Sequence, residues 1–262
     1  MRDVDTIIVS YCTRTLTAAA VESVLHEAAT HRVLVVDNAS SDGSAGALSA
    51  QFAAASVEVI ALPDNRGFGT ACNVGAERSR APYLFILNSD ARLEPGGLEL
   101  LRSRLEAEPR LGIVAPAVFD ANGRPQLDAQ GDFPTAGAIL LRRTRRHGDA
   151  RSPGWVSGVA MLLRRHEYNA LGGFDPGFFL YYEDVDLCRR YRDRGFEIER
   201  VVEARIVHAG GRSRTSARAQ KRAYDRSQDR YLARIGTGWP MRQLVRAVRT
   251  AVRIVGAVGA DV

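Results

Sequence analysis

Thr6-Ile7-Ile8-Val9-Ser10 is a run of β-branched and apolar residues with no polar alternation. A strand covered on both faces reads this way, because neither face meets water. The run predicts a buried parallel strand over 6–10. Helical spacing follows over 15–29, through Leu16, Ala19, Ala20, Val24 and Ala28. The alternation then repeats. Strands are predicted over 32–36, 57–62 and 82–87, and helices over 41–52, 69–80 and 95–108, the last with Pro95 near its first turn. Alternating patterns of this kind predict a parallel α/β sheet built from right-handed crossovers. Ligands on such sheets sit at the carboxyl ends of the strands. Polar residues follow Val9, Val36, Leu62 and Leu87, so four predicted strand ends carry polar clusters.

Beyond 112–119 the regular pattern fails. Residues 120–134 are rich in Gly, Asn, Asp, Gln and Pro, and 142–153 hold two arginine pairs before Pro153-Gly154. Both read as loops long enough to bind or to cover a ligand. Order returns with a strand over 155–163 and a helix over 183–194. That helix has acids at its start and Gly195 past its end, as capping and the helix dipole favour. Short strands over 196–198 and 201–207 follow. From Arg212 the chain is basic and helical.

The 262 residues are 45% hydrophobic, which suits one large domain or a domain with an appendage. The division expected is a body over 1–211 and an extension over 212–262. No apolar run approaches the roughly 20 residues of a spanning helix. Met1-Arg2-Asp3-Val4-Asp5 leads straight into the first strand without the charged start of a secretory signal. Cys12, Cys72 and Cys188 lie far apart in apolar surroundings, and read as reduced core residues of a cytoplasmic protein. The net charge of +6 is uneven. Residues 212–253 hold 12 basic and two acidic side chains, a net +10, whereas 1–211 are slightly acidic. Body and tail therefore need separate accounts.

Asp37-Asn38-Ala39-Ser40-Ser41-Asp42-Gly43-Ser44 closes the second strand. Asp37 there can accept from a pyrimidine edge or a ribose, while Asp42 and Ser44 can equally cap the next helix. Asn65-Arg66-Gly67-Phe68-Gly69 precedes a helix carrying Asn73 and Gly75. Glycines and an arginine at a helix N-terminus suit a diphosphate, although Gly-rich strand–helix turns are common. Asn88-Ser89-Asp90 places one carboxylate at a strand end, either as a plain turn or as a ligand to a hard cation. Mg²⁺ takes few protein ligands when phosphate and water complete its shell. Gly172 to Arg190 is the densest stretch. Its aromatics, among them Tyr181, lead into Glu183-Asp184-Val185-Asp186. Acids favour helix starts on their own account, but aromatic faces also stack on sugars, and a carboxylate beside them can take a hydroxyl proton. His208 closes an apolar strand. Alone it reads as structural; with Asp90 it becomes a candidate ligand.

Taken in order, these pieces resemble glycosyltransferase family 2, and within it the rhamnosyltransferase-like bacterial branch. The matching pieces are Ile8-Val9-Ser10-Tyr11, 37–44, 65–69 with Asn73 and Gly75, Leu87-Asn88-Ser89-Asp90, Trp155-Val156-Ser157-Gly158, 172–190 and His208. They cover roughly residues 5–213. The resemblance implies an α/β GT-A fold, a mainly parallel sheet flanked by helices. It implies an inverting, metal-dependent transferase that moves a sugar from a nucleotide-diphosphate donor, dTDP or UDP, to an acceptor hydroxyl, with dTDP-L-rhamnose favoured. The nucleotide and diphosphate would meet Ser10, Tyr11, Asp37, Asn65, Arg66, Gly67, Asn73, Asn88 and Ser89. Mg²⁺ or Mn²⁺ would sit on Asp90 and His208. The acceptor, a glycan or polyprenyl-diphosphate-linked sugar of the cell envelope, would meet Trp155, Ser157, Gly158, Tyr181 and Glu183, with Asp184 as base. Two departures stand out: Tyr11-Cys12 where the family often has Tyr-Asn, and Asn-Ser-Asp in place of Asp-x-Asp, which leaves Asn88 without charge.

In the tail, Arg242, Arg246, Arg249 and Arg253 are spaced 4, 3 and 4, one helical stripe, with Leu244, Val245, Val248, Val252 and Val255 on the other side. Such a helix over 238–262 suits the inner face of an anionic membrane; docking on the protein's own core or on a dimer mate is the plainer alternative. Few aromatics interleave with the basic residues and the body is acidic, so nucleic acid is not an expected partner. A sugar nucleotidyltransferase would share the nucleotide-binding sheet, but Ser10-Tyr11-Cys12-Thr13-Arg14 lacks the glycine and lysine of its first loop. A non-catalytic nucleotide-sugar-binding module is the other rival.

Overall fold

The computed structural model describes residues 2–141, 151–210 and 216–258. The strands, in chain order, are β1 (Val4–Ser10), β2 (Thr30–Asp37), β3 (Val57–Ala61), β4 (Tyr83–Asn88), β5 (Ala91–Leu93), β6 (Leu111–Phe119), β7 (Gln130–Gly131), β8 (Trp155–Val156), β9 (Ala160–Arg164) and β10 (Glu197–His208). The helices are α1 (Arg14–Leu25), α2 (Ser44–Gln51), α3 (Phe68–Arg78), α4 (Gly97–Ala107), α5 (Ala136–Leu140), α6 (Arg165–Ala170), α7 (Glu183–Asp193), α8 (Ala217–Arg234) and α9 (Trp239–Val258).

Eight strands form one sheet in the order β3-β2-β1-β4-β9-β6-β10-β5. β1 to β4 run parallel, as predicted, and β10 runs parallel to β6. β9 enters between β4 and β6 antiparallel to both, and β5 closes the edge antiparallel to β10. Alternate residues of each central strand go to opposite faces. Ile8, Val33, Val35, Phe85 and Leu87 join one core, and Ile7, Val9, Leu34, Val36, Leu84 and Ile86 the other. Both faces are thus dry, which is why the strands lack polar alternation.

Several boundaries correct the sequence reading. The strand expected over 155–163 breaks at Ser157 into β8, paired with β7, and β9 in the main sheet. The two short strands expected over 196–207 are one strand, β10, with a register shift between Val201 and Arg205. Pro95 lies ahead of α4 rather than in its first turn. The N-terminus of α4 is instead capped from a distance, by the Glu27 carboxylate accepting from the amides of Gly96 and Leu98. Cys72 and Cys188 are buried thiols, but Cys12 is only half-buried and sits outside the core. The arginine-pair loop lies mostly outside the described residues, as does the expected boundary near 211.

The basic extension packs on the body. α8 lies against the loop 175–182, and α9 against α5 and α8. Three arginines of the α9 stripe reach toward α8. Arg242 and Arg246 pair with Asp229, and Arg249 with Asp225, both acids of α8. Val245 is buried beside Ala136 and Leu232. α9 also leaves large apolar side chains exposed: Trp239 (65%), Met241, Leu244 (49%), Val248 and Val252. Among the described residues, no helix is long and apolar enough to cross a membrane.

Candidate active site

The polar strand ends converge on one edge of the sheet. On the β2 side, Asp37 is buried; its Oδ1 accepts from the Ser40 amide at 2.8 Å, and its Oδ2 has no hydrogen-bond partner. Asn38 organises the loop beside it. Its Nδ2 donates to Asn65 Oδ1 at 3.0 Å and to the Gly67 carbonyl at 3.2 Å, and its Oδ1 accepts from the Arg66 amide at 2.9 Å. Arg66 itself is exposed and paired with Asp64. Ser10 is fully buried, its hydroxyl shared with Thr17 at 3.0 Å, while Thr13 donates to Ser89 at 3.1 Å. Those two serine hydroxyls hold the start of α1 against the ends of β1 and β4. Tyr11, next along the chain from Ser10, is half-buried.

Asp90 and His208 come together through strand pairing. β5 aligns antiparallel to β10 with His208 opposite Ala91, and the Ala209 amide donates to the Asp90 carbonyl at 2.9 Å. Asp90 Oδ1 then lies 3.1 Å from His208 Nε2. Oδ1 is buried and accepts no hydrogen bond. On its other side His208 Nδ1 sits 2.8 Å from Gln126 Oε1, and Gln126 Nε2 donates to the His208 carbonyl at 2.9 Å. The carbonyl fixes the amide so that its oxygen faces Nδ1. Nδ1 therefore carries a proton, and in the neutral ring Nε2 keeps its lone pair. An unpaired carboxylate oxygen beside an imidazole lone pair is costly unless a cation joins them. These two residues fit a divalent metal. Asn88 is close by, its Nδ2 3.5 Å from Nε2, with its oxygen turned to the Ser89 amide. Among the described residues no three or more acids, cysteines or histidines form a self-sufficient cage, which suits a cation completed by diphosphate and water.

The acceptor side is built at the start of α7. Asp184 Oδ2 accepts from the Gly158 amide at 3.0 Å and Oδ1 from the Val185 amide at 2.8 Å, with the Ser157 side chain also bonded to it. Ser157 and Gly158, expected at the acceptor, therefore hold the carboxylate. Burial pushes the Asp184 pKa up, and these donors only partly offset that. Glu183 is buried with Oε2 unpaired. Burial first, and then the Asp184 charge, holds its carboxyl well above the usual range. Asp186 pairs with Arg190 and Arg234 at 2.9 Å each, a structural role. The Trp155 indole donates to the Asp132 carbonyl. Tyr181 and Tyr182 both take positive φ, 70° and 66°.

Donor and acceptor sides are joined directly. The Phe68 amide donates to the Phe179 carbonyl at 3.1 Å. Gly67, at φ +81° and ψ 170°, lies so close that a Cβ would stand 2.1 Å from that carbonyl oxygen. Asn73, expected at the nucleotide, is a staple: its amide donates to the Phe174 carbonyl at 2.8 Å and accepts from the Phe174 amide at 2.9 Å.

Comparison with known proteins matches the family model described as glycosyl transferase family 2 over residues 5–172. The chain belongs to glycosyltransferase family 2. A family 2 relative, the N-acetylglucosaminyl-diphospho-decaprenol L-rhamnosyltransferase of Mycobacterium tuberculosis, is 29% identical over 248 residues, spanning 82% of this chain and 79% of that protein. Rhamnosyltransferase WbbL of Escherichia coli K12 is 35% identical over 81 residues, 30% of this chain and 31% of its own. Among solved structures, the mannosyltransferase PcManGT from Pyrobaculum calidifontis, in complex with GDP-Man and Mn²⁺, superposes with a TM-score of 0.66 at 16% identity. That match covers 98% of this chain and 75% of that one. The GT-A architecture expected of a family 2 transferase is thus present.

Four residues escaped the sequence reading. Asn38 lay within a quoted motif but had no assigned role. Gln126 sat in a loop recognised only by composition. Gln228 and its neighbour Ser227 belonged to a tail read for its charge alone.

Proposed function

We propose that this family 2 enzyme is an inverting, divalent-metal-dependent transferase. It moves L-rhamnose from dTDP-L-rhamnose to a hydroxyl of a polyprenyl-diphosphate-linked glycan in cell-envelope polysaccharide synthesis. The observation that carries the metal and the donor is the unpaired Asp90 Oδ1 facing His208 Nε2. A cation held by Asp90 and His208 would neutralise charge on the departing nucleoside diphosphate. Asp37, Asn65, Arg66 and Gly67 would bind the nucleotide and its diphosphate, with Tyr11, Asn88 and Ser89 at their edge. Asp184 takes the proton of the acceptor hydroxyl as that oxygen bonds to the anomeric carbon and the bond to the diphosphate oxygen breaks. Glu183 and Tyr181 orient the acceptor, with Trp155 beyond them. The rhamnose donor is supported by the named activity of the mycobacterial relative, which also motivates the lipid-linked acceptor.

A thermal-shift screen tests the donor. dTDP-L-rhamnose with Mn²⁺ or Mg²⁺ is expected to raise Tm more than UDP-hexoses do, and the shift is expected to vanish in Asp90→Ala. A UDP-hexose ranking first overturns the rhamnose assignment.

The acceptor reading extends to the cell membrane. We place residues 238–262 against its inner face, with the exposed apolar side of α9 toward lipid. Arg242, Arg246 and Arg249 are paired with Asp229 and Asp225, so the apolar side would carry this attachment.

A further inference from the structure

Tyr181 and Tyr182 are consecutive, neither is glycine or asparagine, and both adopt left-handed backbone. Such geometry persists only where the surroundings hold it, and it concentrates at functional sites. Here it turns the chain directly into Glu183 and Asp184, at a helix start with no side-chain cap. The surroundings that hold it come from α8. Ser227 Oγ donates to the Leu180 carbonyl at 2.8 Å, and Gln228 Nε2 donates to the Tyr182 hydroxyl at 2.9 Å. Both side chains are buried. The Tyr182 ring packs between Tyr224 and Tyr231, each 5.4 Å away centre to centre. Tyr181 meets Tyr224 at 5.7 Å. Salt bridges flank the turn, Arg230 to Asp175 at 3.1 Å and Arg234 to Asp186 at 2.9 Å.

We infer that α8 is a brace for the catalytic turn, and that Ser227 and Gln228 are positioning residues for Asp184. This rests on Asp184 being the base. Without the two donors, the Leu180 carbonyl loses its partner and the Tyr182 hydroxyl keeps only its longer bond to Tyr224, at 3.3 Å. The strained turn then relaxes toward commoner backbone, and the first turn of α7 rotates with it. Gly158 and Val185 still bind the Asp184 carboxylate, but no longer from a fixed direction. The donor half meets this segment through the Phe68 amide on the Phe179 carbonyl, while the bonds of Asp37, Asn38, Asn65 and His208 are made elsewhere. Turnover is expected to fall while nucleotide binding holds.

The test is the double variant Ser227→Ala/Gln228→Met, which keeps side-chain volume and removes both donors. Turnover is read as nucleoside diphosphate released by water from the donor ranking first in the thermal-shift screen, with Mn²⁺. It is expected to fall about 10- to 100-fold, the scale of a small misplacement of a catalytic group. The nucleoside diphosphate Kd by calorimetry is expected to stay within about twofold. Ser227→Thr, which keeps its donor, is expected to recover most of the rate relative to Ser227→Ala. Turnover at the wild-type level in the double variant overturns the inference, and so does an equal loss of binding and turnover. If the double variant does not fold, Tyr182→Phe removes only the hydroxyl that Gln228 holds, and the same two readings decide. Asp184→Asn run in parallel separates the failures: if it keeps wild-type turnover, the base assignment is at fault rather than the brace.

Discussion

His208 Nδ1 and Gln126 Oε1 lie 2.8 Å apart across 82 residues of chain, and the same glutamine returns a hydrogen bond to the His208 carbonyl. A neutral histidine so gripped carries its proton on Nδ1 and turns the lone pair of Nε2 toward Asp90. Outer partners of this kind commonly matter about 10- to 100-fold for metal affinity. Gln126→Ala is expected to weaken Mn²⁺ binding by that factor, measured by calorimetry in the presence of nucleoside diphosphate. Unchanged Mn²⁺ affinity would show that the clamp is incidental.

Asp184→Asn removes the proposed base and keeps its shape, with one of the two backbone donors still bonded to the amide oxygen. Base catalysis is typically worth about 10²–10⁴-fold, and turnover is expected to fall within that range while donor Kd holds. Burial raises the Asp184 pKa. Only the ionised form can accept the proton, so wild-type turnover is expected to decline, as pH falls, at a pH above the ordinary aspartate range. An acid limb at or below that range contradicts the assignment.

Glu183 gives a stability prediction of opposite sense to an ordinary surface acid. Its folded pKa is raised well above its unfolded value, so the folded state binds the proton more tightly. The protonated carboxyl favours folding fully below the unfolded pKa, and that advantage is lost as pH rises toward the folded pKa. Glu183→Gln mimics the protonated form at every pH. The Tm of this variant relative to wild type is expected to increase as pH rises from about 4 to 8. A pH-independent difference would mean that Glu183 is not held in this state.

Gly67 occupies backbone space that is essentially reserved for glycine, and a methyl there would overlap the Phe179 carbonyl. Gly67→Ala must relax both. The strain is worth about 1–3 kcal/mol, and the overlap adds a similar overpacking cost. A lower Tm is expected together with weaker nucleotide binding, because the Asn65–Gly67 loop moves with it. Wild-type Tm and Kd would rule this out.

The exposed side of α9 predicts vesicle binding through apolar contact rather than through its ion-paired arginines. Leu244→Glu/Val248→Glu is expected to abolish flotation with phosphatidylcholine vesicles containing phosphatidylglycerol. Donor Kd should not change. Persistent flotation, or a monomer–dimer change in sedimentation in its place, moves the assignment to another surface or to a second copy.

The strands that carry the proposed donor half were legible because their signals are local. The apolar runs of β1, β2 and β4 and the polar residues at their ends lie within a few positions of one another. The antiparallel course of β9 was not legible, since Ala160–Arg164 reads as an apolar strand whichever way its neighbours run. Gln126 and Ser227 act on groups 82 and 47 residues away, and no periodicity records such partners. The arginine stripe of α9 was legible as a stripe, but its orientation depends on Asp225 and Asp229 of another helix. Asn73 illustrates the reverse case. An amide beside a glycine-rich turn suggested a ligand contact, while the structure gives both ends of it to Phe174.

The place of β9 in the sheet separates the two halves of the site in time. Gly158, which grips the proposed base, leads into a strand flanked on both sides by others, whereas His208 ends a strand next to the short edge strand β5. Backbone amides of central strands open only with the whole fold, while those near an edge open in smaller, more frequent events. Amide protons of β9 should therefore persist in deuterated buffer long after those of Ala91–Leu93 have exchanged. Bound metal and nucleotide should then slow the edge selectively, making isotope uptake there a reporter of donor loading that needs no acceptor.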